Sequence, residues 1–268
     1  MSSVTVNDVY SFLKSIAPLE MAFKDDNVGF LVGSSTASVT KILVALDITS
    51  DVIDEALNVG AELIVSHHPV YFTIDKITDE TMSGKKIIDM ISGGISAICM
   101  HTNLDSAKDG VNDALAAAAG IVSDEHFEPL SDGRTLPSGE IVSFGRIGHL
   151  AEPCKIADYL VQMKKNLNTG GIRYHDAGRD VCRVSVAAGS GGDLLDYAYK
   201  DGCDTFVTGE VKYSHFLLAK EYGINLVEGD HFCTENLVIP VVAGKLNSEF
   251  PHVKTLISAV HTQTVKFF

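Results

Sequence analysis

Apolar and polar positions alternate along this chain in a pattern that changes period from helix to strand several times. From Val4 to Ala17 the apolar residues Val6, Val9, Phe12, Leu13 and Ile16 form one helical stripe, with Thr5 or Asn7 able to cap it. A turn and a short apolar segment follow through Lys24–Gly33. Lys41–Leu46 then reads as a strand, Ser50–Val59 as a helix closed by Gly60, and Leu63–Val65 as a second strand. This is a β-α-β unit, for which a right-handed parallel crossover is expected. Lys85–Ile91 reads as a helix ended by Gly93-Gly94, and Ile95–Met100 as a strand. Asp109-Gly110 turns the chain, Asn112 offers a cap, and Ala114–Ala119 is strongly helix-forming up to Gly120.

From Ser123 to Gly148 the composition shifts to Glu, Pro, Ser and Gly, the mark of a boundary or excursion. A helix is expected around Cys154–Leu167. From Val181 to Glu210 the earlier pattern restarts. Laid without a gap at an offset of 142, Ile42–His68 and Val184–Glu210 match at Val44/Val186, Ala45/Ala187, Asp51/Asp193, Asp54/Asp196, Ala56/Ala198, Gly60/Gly202 and Val65/Val207. The shared order of strand, loop, helix, Gly and strand predicts an internal duplication, hence an α/β fold of two similar lobes. The first lobe is expected to take residues 1–125 with 231–268, and the second 126–230. Tyr213–Tyr222 then reads as a helix and Ile224–Val227 as a strand. An apolar helix running to Leu246 must kink at Pro240 or begin later than Thr234. Thr255–Phe268 reads as an edge strand.

At 268 residues the chain can bury sizeable cores without staples. Its formal net charge of -14 argues against non-specific attraction to nucleic acid or anionic membrane. No apolar run approaches a membrane span, and the N-terminus lacks a signal-peptide pattern. Cys99, Cys154, Cys182, Cys203 and Cys233 are odd in number and without C-x-x-C spacing, which points to reduced thiols and a cytoplasmic protein.

Candidate chemistry gathers at three strand ends. Ile64-Val65-Ser66 runs into His67-His68-Pro69, the next strand into His101 and Asp105, and a third into His231 and Glu235. In open α/β sheets the carboxyl ends of strands are where ligands bind. Adjacent residues of an extended segment point to opposite sides, so His67 and His68 are expected to serve different ions rather than chelate one. His231 and Glu235, spaced i to i+4, share a helical face and can share an ion. Each feature also has an ordinary reading: a capped strand end, a turn aspartate, a glutamate placed well near a helix N-terminus. Taken together, three histidines with Asp and Glu suit Zn, Fe, Mn or Co. They overfill a tetrahedral site, whereas two ions bridged by a carboxylate use them well. Gly189-Ser190-Gly191-Gly192-Asp193 is a tight turn or a weak phosphate-binding motif.

Asp26-Asn27-Val28-Gly29, Ala45-Leu46-Asp47, Ser66-His67-His68-Pro69, His101-Thr102-Asn103-Leu104-Asp105, Thr208-Gly209-Glu210 and Gly229-Asp230-His231 with Glu235 resemble, in order, the motif series of the NIF3-like family. Its members are named as type-two GTP cyclohydrolase I homologues. The resemblance implies two similar α/β lobes, a dinuclear metal centre and a toroidal homohexamer. It further implies that His67 and His231 hold one divalent ion, His68 and Asp105 the other, and Glu235 both. The chain departs from the family in two ways: Asp25 stands where an aromatic residue, commonly Trp, usually precedes Asp-Asn, and there is no space for the domain that longer members insert.

Such a centre implies a metal-dependent hydrolase acting on a small, nucleotide-like substrate, with His101, Asp47 and Glu210 as acid, base or ligand-orienting groups. In the guanine-nucleotide reaction the name suggests, water attacks C8 and formate is released. A phosphoesterase using the same ions would release phosphate instead. A metal-binding regulatory or scaffold protein acting through protein–protein contacts is the alternative from a different class.

Overall fold

The computed structural model describes residues 3–74, 76–122, 128–131, 133–139 and 141–268. The chain folds into two compact units, Met1–Lys108 with Ile239–Thr262, and Asp109–Val238 with Gln263–Phe268.

The first unit runs α1 (Val6–Ile16), β1 (Gly29–Val32), β2 (Lys41–Ala45), α2 (Ser50–Val59), β3 (Leu63–Ser66), α3 (Met82–Ser92), β4 (Ser96–Cys99) and α4 (Thr102–Ser106). Local chemistry sets the helix ends. Thr5 caps α1 in a reciprocal box with Asp8, Thr49 caps α2 through Val52 N–H, and Gly60 closes α2 at φ 66°, where a side chain would be strained.

The second unit runs α5 (Val111–Ala118), β5 (Ile121–Val122), β6 (Glu128–Leu130), β7 (Gly145–Cys154), α6 (Ile156–Asn166), β8 (Arg173–His175), β9 (Val181–Ala187), α7 (Leu195–Lys200), β10 (Thr205–Thr208), α8 (Tyr213–Tyr222), β11 (Asn225–Glu228) and α9 (His231–Glu235). It begins at Asp109 rather than near residue 126, because Leu115 and Ala116 of α5 are buried with Val184 and Val186 of β9. Asn112 does not cap α5. Its buried amide instead accepts from Ala188 N–H (2.9 Å) and donates to the Phe144 carbonyl (3.2 Å). After α9 the chain forms α10 (Val238–Glu249) and β12 (Lys254–Ile257). Pro240 is the third residue of α10, in the first turn, where its missing N–H costs no helix bond. Of the expected tail strand only β12 forms, along the edge of the first sheet.

The first sheet has the order β1-β4-β3-β2-β12, with β1 antiparallel and the others parallel. The second has the order β5-β7-β9-β10-β11-β8, with β6 also paired to β7 and with β8 antiparallel to β11. Both sheets contain an antiparallel strand followed in the chain by three parallel ones, β1 to β4 and β8 to β11. The offset of 142 survives in three dimensions: Ile42 pairs with Leu63 as Val184 pairs with Thr205, and Ala45 with Ser66 as Ala187 with Thr208. The fold is thus α/β in two similar lobes.

Alternation along the buried strands decides which helices cover which face. Leu43, Ala45, Ile64 and Ala97 pack with Val52, Ile53 and Ala56 of α2 and with Ile87 and Met90 of α3. In the second unit Val184, Val186, Val207 and Val227 meet α5 and α6, while Phe206 and Leu226 meet α7 and α8. Both layers leave the carboxyl ends of the parallel strands to the loops that carry the histidines. No described helix is long and apolar enough to cross a membrane.

Candidate metal centre

β3 ends at Ser66, so strand alternation no longer governs His67 and His68. The two rings converge, contrary to the sequence expectation: their centroids lie 4.8 Å apart. His101, which begins α4 just beyond β4, brings a third ring to 5.1 Å from His67 and 5.3 Å from His68. Ring nitrogens of the three lie within 4.8 Å of one another.

Each ring is fixed in the same way. His67, 1% exposed, donates Nδ1–H to the Met100 carbonyl at 2.9 Å. His68 Nδ1 lies 2.8 Å from Asp47 Oδ1, and His101 Nδ1 lies 2.9 Å from both oxygens of Asp26. A carbonyl or carboxylate can only accept, so the proton of each neutral ring sits on Nδ1 and the lone pair on Nε2. Asp105, on the short helix α4, places Oδ1 3.6 Å from His67 Nε2.

The two anchoring aspartates are themselves held. Burial pushes the Asp47 carboxyl up, but hydrogen bonds from His261 and His68 outweigh it and keep it well below the usual carboxylate range. The His261 Nε2 contact is 2.8 Å. For Asp26, burial is again opposed, here by His101, by the Thr102 hydroxyl at 2.5 Å and by Thr102 N–H at 3.2 Å, and the carboxyl is brought down to about 2. Asn27, next in the chain, ties the segment to the Tyr71 carbonyl at 2.7 Å.

The second unit repeats the device after β11. Asp230 enters α9 at φ 80°, a left-handed conformation held by its own acceptance of Cys233 N–H (3.1 Å) and by the amide of Gln263. This turns His231 so that Nδ1 lies 3.1 Å from Glu210 Oε2 and Nε2 lies 3.1 Å from Glu235 Oε2. Glu235 is 4% exposed. The space for its carboxylate is made by Gly189, at φ +62°, where a Cβ would stand 2.0 Å from Glu235 Oε1 and 3.4 Å from His231 Nε2. Gly189 N–H donates to Thr234 Oγ1 and Gly191 N–H to Thr208 Oγ1, at 3.2 and 3.1 Å. The glycine turn therefore spends two of its N–H groups internally and clears room for Glu235, which argues against a phosphate cradle.

Thus the first unit brings His67, His68, His101 and Asp105 together with Asp47, and the second brings together Glu210, His231 and Glu235. Each of the four imidazoles has an oxygen acceptor at Nδ1, and each unit by itself gathers imidazole with carboxylate, the donor types that first-row divalent ions take. Three contributors lay outside the sequence reading. Asp26 was visible in a motif but not as the partner of His101, Gly189 was visible as a turn residue only, and His261 carried no signal at all.

Comparison with known proteins places these residues in a family. The family model described as Duf34/NIF3 (NGG1p interacting factor 3) matches residues 4–264. A GTP cyclohydrolase 1 type 2 homolog of Clostridium acetobutylicum is 35% identical over 246 residues, 91% of this chain and 90% of that one. One of Clostridium perfringens is 34% identical over 247 residues, 90% of each. The crystal structure of a Bacillus cereus protein related to NIF3 matches at a TM-score of 0.89 over 100% of both chains, at 24% identity, and so shares the fold. With a match along nearly its whole length and a two-lobed fold to go with it, the chain belongs to the DUF34/NIF3 family.

Proposed function

We propose that this protein is a hydrolase dependent on two divalent ions and acting on a nucleotide-like substrate. His67 and His231 would hold one ion, His68 and Asp105 the other, and Glu235 both. The observation that carries the reading is the common anchoring of the four imidazoles, each with an oxygen acceptor at Nδ1. An acceptor at Nδ1 orients each ring and, for His67, His68 and His101, leaves the Nε2 lone pair that a metal ligand or a proton carrier needs. Bound divalent ions supply Lewis acidity and make water nucleophilic near neutral pH.

The chain's own residues then divide the work. Asp47 and Glu210 fix the rings of His68 and His231. His101 is not required as a ligand by this assignment, and with Nδ1–H directed at Asp26 it is placed to accept or give a proton at Nε2 while Asp26 stabilises the charged ring. The name carried by the curated relatives supports a guanine nucleotide as the first substrate to try, with water attacking C8 and formate released. We further propose a cytoplasmic homohexamer. The five free cysteines support the first part.

The test is metal-loaded protein incubated with GTP, with formate and phosphate assayed separately. Release of either that is lost in Glu235→Gln, with the oligomer intact by light scattering, supports the hydrolase. No turnover, together with an oligomer that dissolves when Glu235 or His67 is changed, makes the ions structural and the protein a scaffold.

A further inference from the structure

Beside His231 the second unit contains a cavity of about 370 Å³ whose lining includes Arg173, Glu210, Glu228, Asp230 and Phe267. That volume falls within the roughly 300–1,000 Å³ of small-molecule sites. Its lining side chains are tied to one another and to the backbone. Arg173 and Glu228 are cross-strand partners on β8 and β11, and Arg173 Nη2 lies 2.7 Å from Glu228 Oε1 and 3.2 Å from the Val211 carbonyl. The guanidinium also sits over the Phe216 ring, 5.5 Å from its centroid. Phe267 is pressed against two glycines: a Cβ at Gly170 or Gly171 would come within 2.4 and 2.6 Å of its ring atoms.

The lining chooses among ligands. Glu210, Glu228 and Asp230 outnumber the one guanidinium among the lining residues, so a phosphate would be repelled here. Yet Arg173 spends only Nη2, and among the described residues its Nε and Nη1 hydrogens meet no acceptor, so a purely cationic ligand would leave that fork unused. A neutral, flat heterocycle that offers an acceptor pair on one edge and N–H groups on another satisfies both, with its face on Phe267.

We propose that this cavity is the base-recognition pocket of the site, selecting a guanine-type purine: Arg173 takes the carbonyl and ring-nitrogen edge, Glu228 or Glu210 accepts from the ring N–H and exocyclic amino group, and Phe267 stacks. The proposal rests on the nucleotide-like substrate proposed above and deepens it.

Calorimetric titration of the full-length, metal-loaded protein with guanosine, inosine and adenosine tests it. Guanosine should bind about 10-fold or more tighter than adenosine, with inosine between, since one well-made bidentate pair discriminates by that order. Arg173→Lys and Phe267→Leu should each cost guanosine about 10-fold while leaving metal content and oligomer size as in the wild type. Equal binding of guanosine and adenosine, no binding of either, or wild-type affinity in both variants overturns the pocket. Discrimination without any turnover would keep the pocket and remove the hydrolase reading. Turnover without discrimination would do the reverse.

Discussion

Replacing Gly189 by alanine separates the geometry of the site from the general cost of strain. At φ +62° an L-residue pays about 1–2 kcal/mol for the left-handed conformation. For a chain of this size that lowers Tm by roughly 2–8 °C, at ~2–4 °C per kcal/mol. The new Cβ would also stand 2.0 Å from Glu235 Oε1, closer than any real contact, so the carboxylate must leave its place. Gly202 supplies the control: it lies in the same unit at φ +74° with nothing within 4 Å of its Cβ position. Gly202→Ala should therefore lose comparable stability and keep its metal, whereas Gly189→Ala should lose stability and most of its bound metal and turnover. Calorimetry and plasma mass spectrometry on the two variants side by side give the answer. Full metal content in Gly189→Ala, or equal metal loss in both, would refute the assignment of Glu235.

The carboxyl of Asp26, brought down to about 2 from 3.8, stabilises the fold above the unfolded value and loses that contribution as pH falls from about 4 to 2. The shift corresponds to about 2 kcal/mol, so denaturant titrations of Asp26→Asn should lack that much of the wild type's acid destabilisation. His261→Ala removes one of the two imidazoles holding Asp47, and metal affinity should fall about 10- to 100-fold in competition with a chelator while the circular dichroism spectrum is unchanged. Asn112→Ala removes the side-chain acceptor of Ala188 N–H and should cost about 1–3 kcal/mol in urea unfolding with no change in metal content.

Where the controlling chemistry is local, the sequence was enough. The helix Ser50–Val59 lies between a threonine cap and a glycine closer, Tyr213–Tyr222 ends at Gly223 in the left-handed region, and both limits were readable. The duplication was readable too, because parallel strands buried on both faces write themselves as apolar runs at matching spacing. What escaped depends on contacts distant in the chain. His261 reaches Asp47 across 214 positions and Asp26 reaches His101 across 75, with no local pattern announcing either. The convergence of His67 and His68 was misread because it turns on where β3 stops, and one residue of strand reverses a side chain's direction. Asn112 looked like a cap because caps and buried amide bridges use the same residue type. The start of the second unit at Asp109 was hidden by a composition change that falls later, whereas α5 had already joined the second core.

The most direct test of the account is the metal content per chain of untagged wild type beside His68→Ala and His231→Ala, by plasma mass spectrometry. The account predicts about two ions per wild-type chain and the loss of roughly one in each variant. Absence of bound metal after loading, with both variants folded as the wild type, would contradict it.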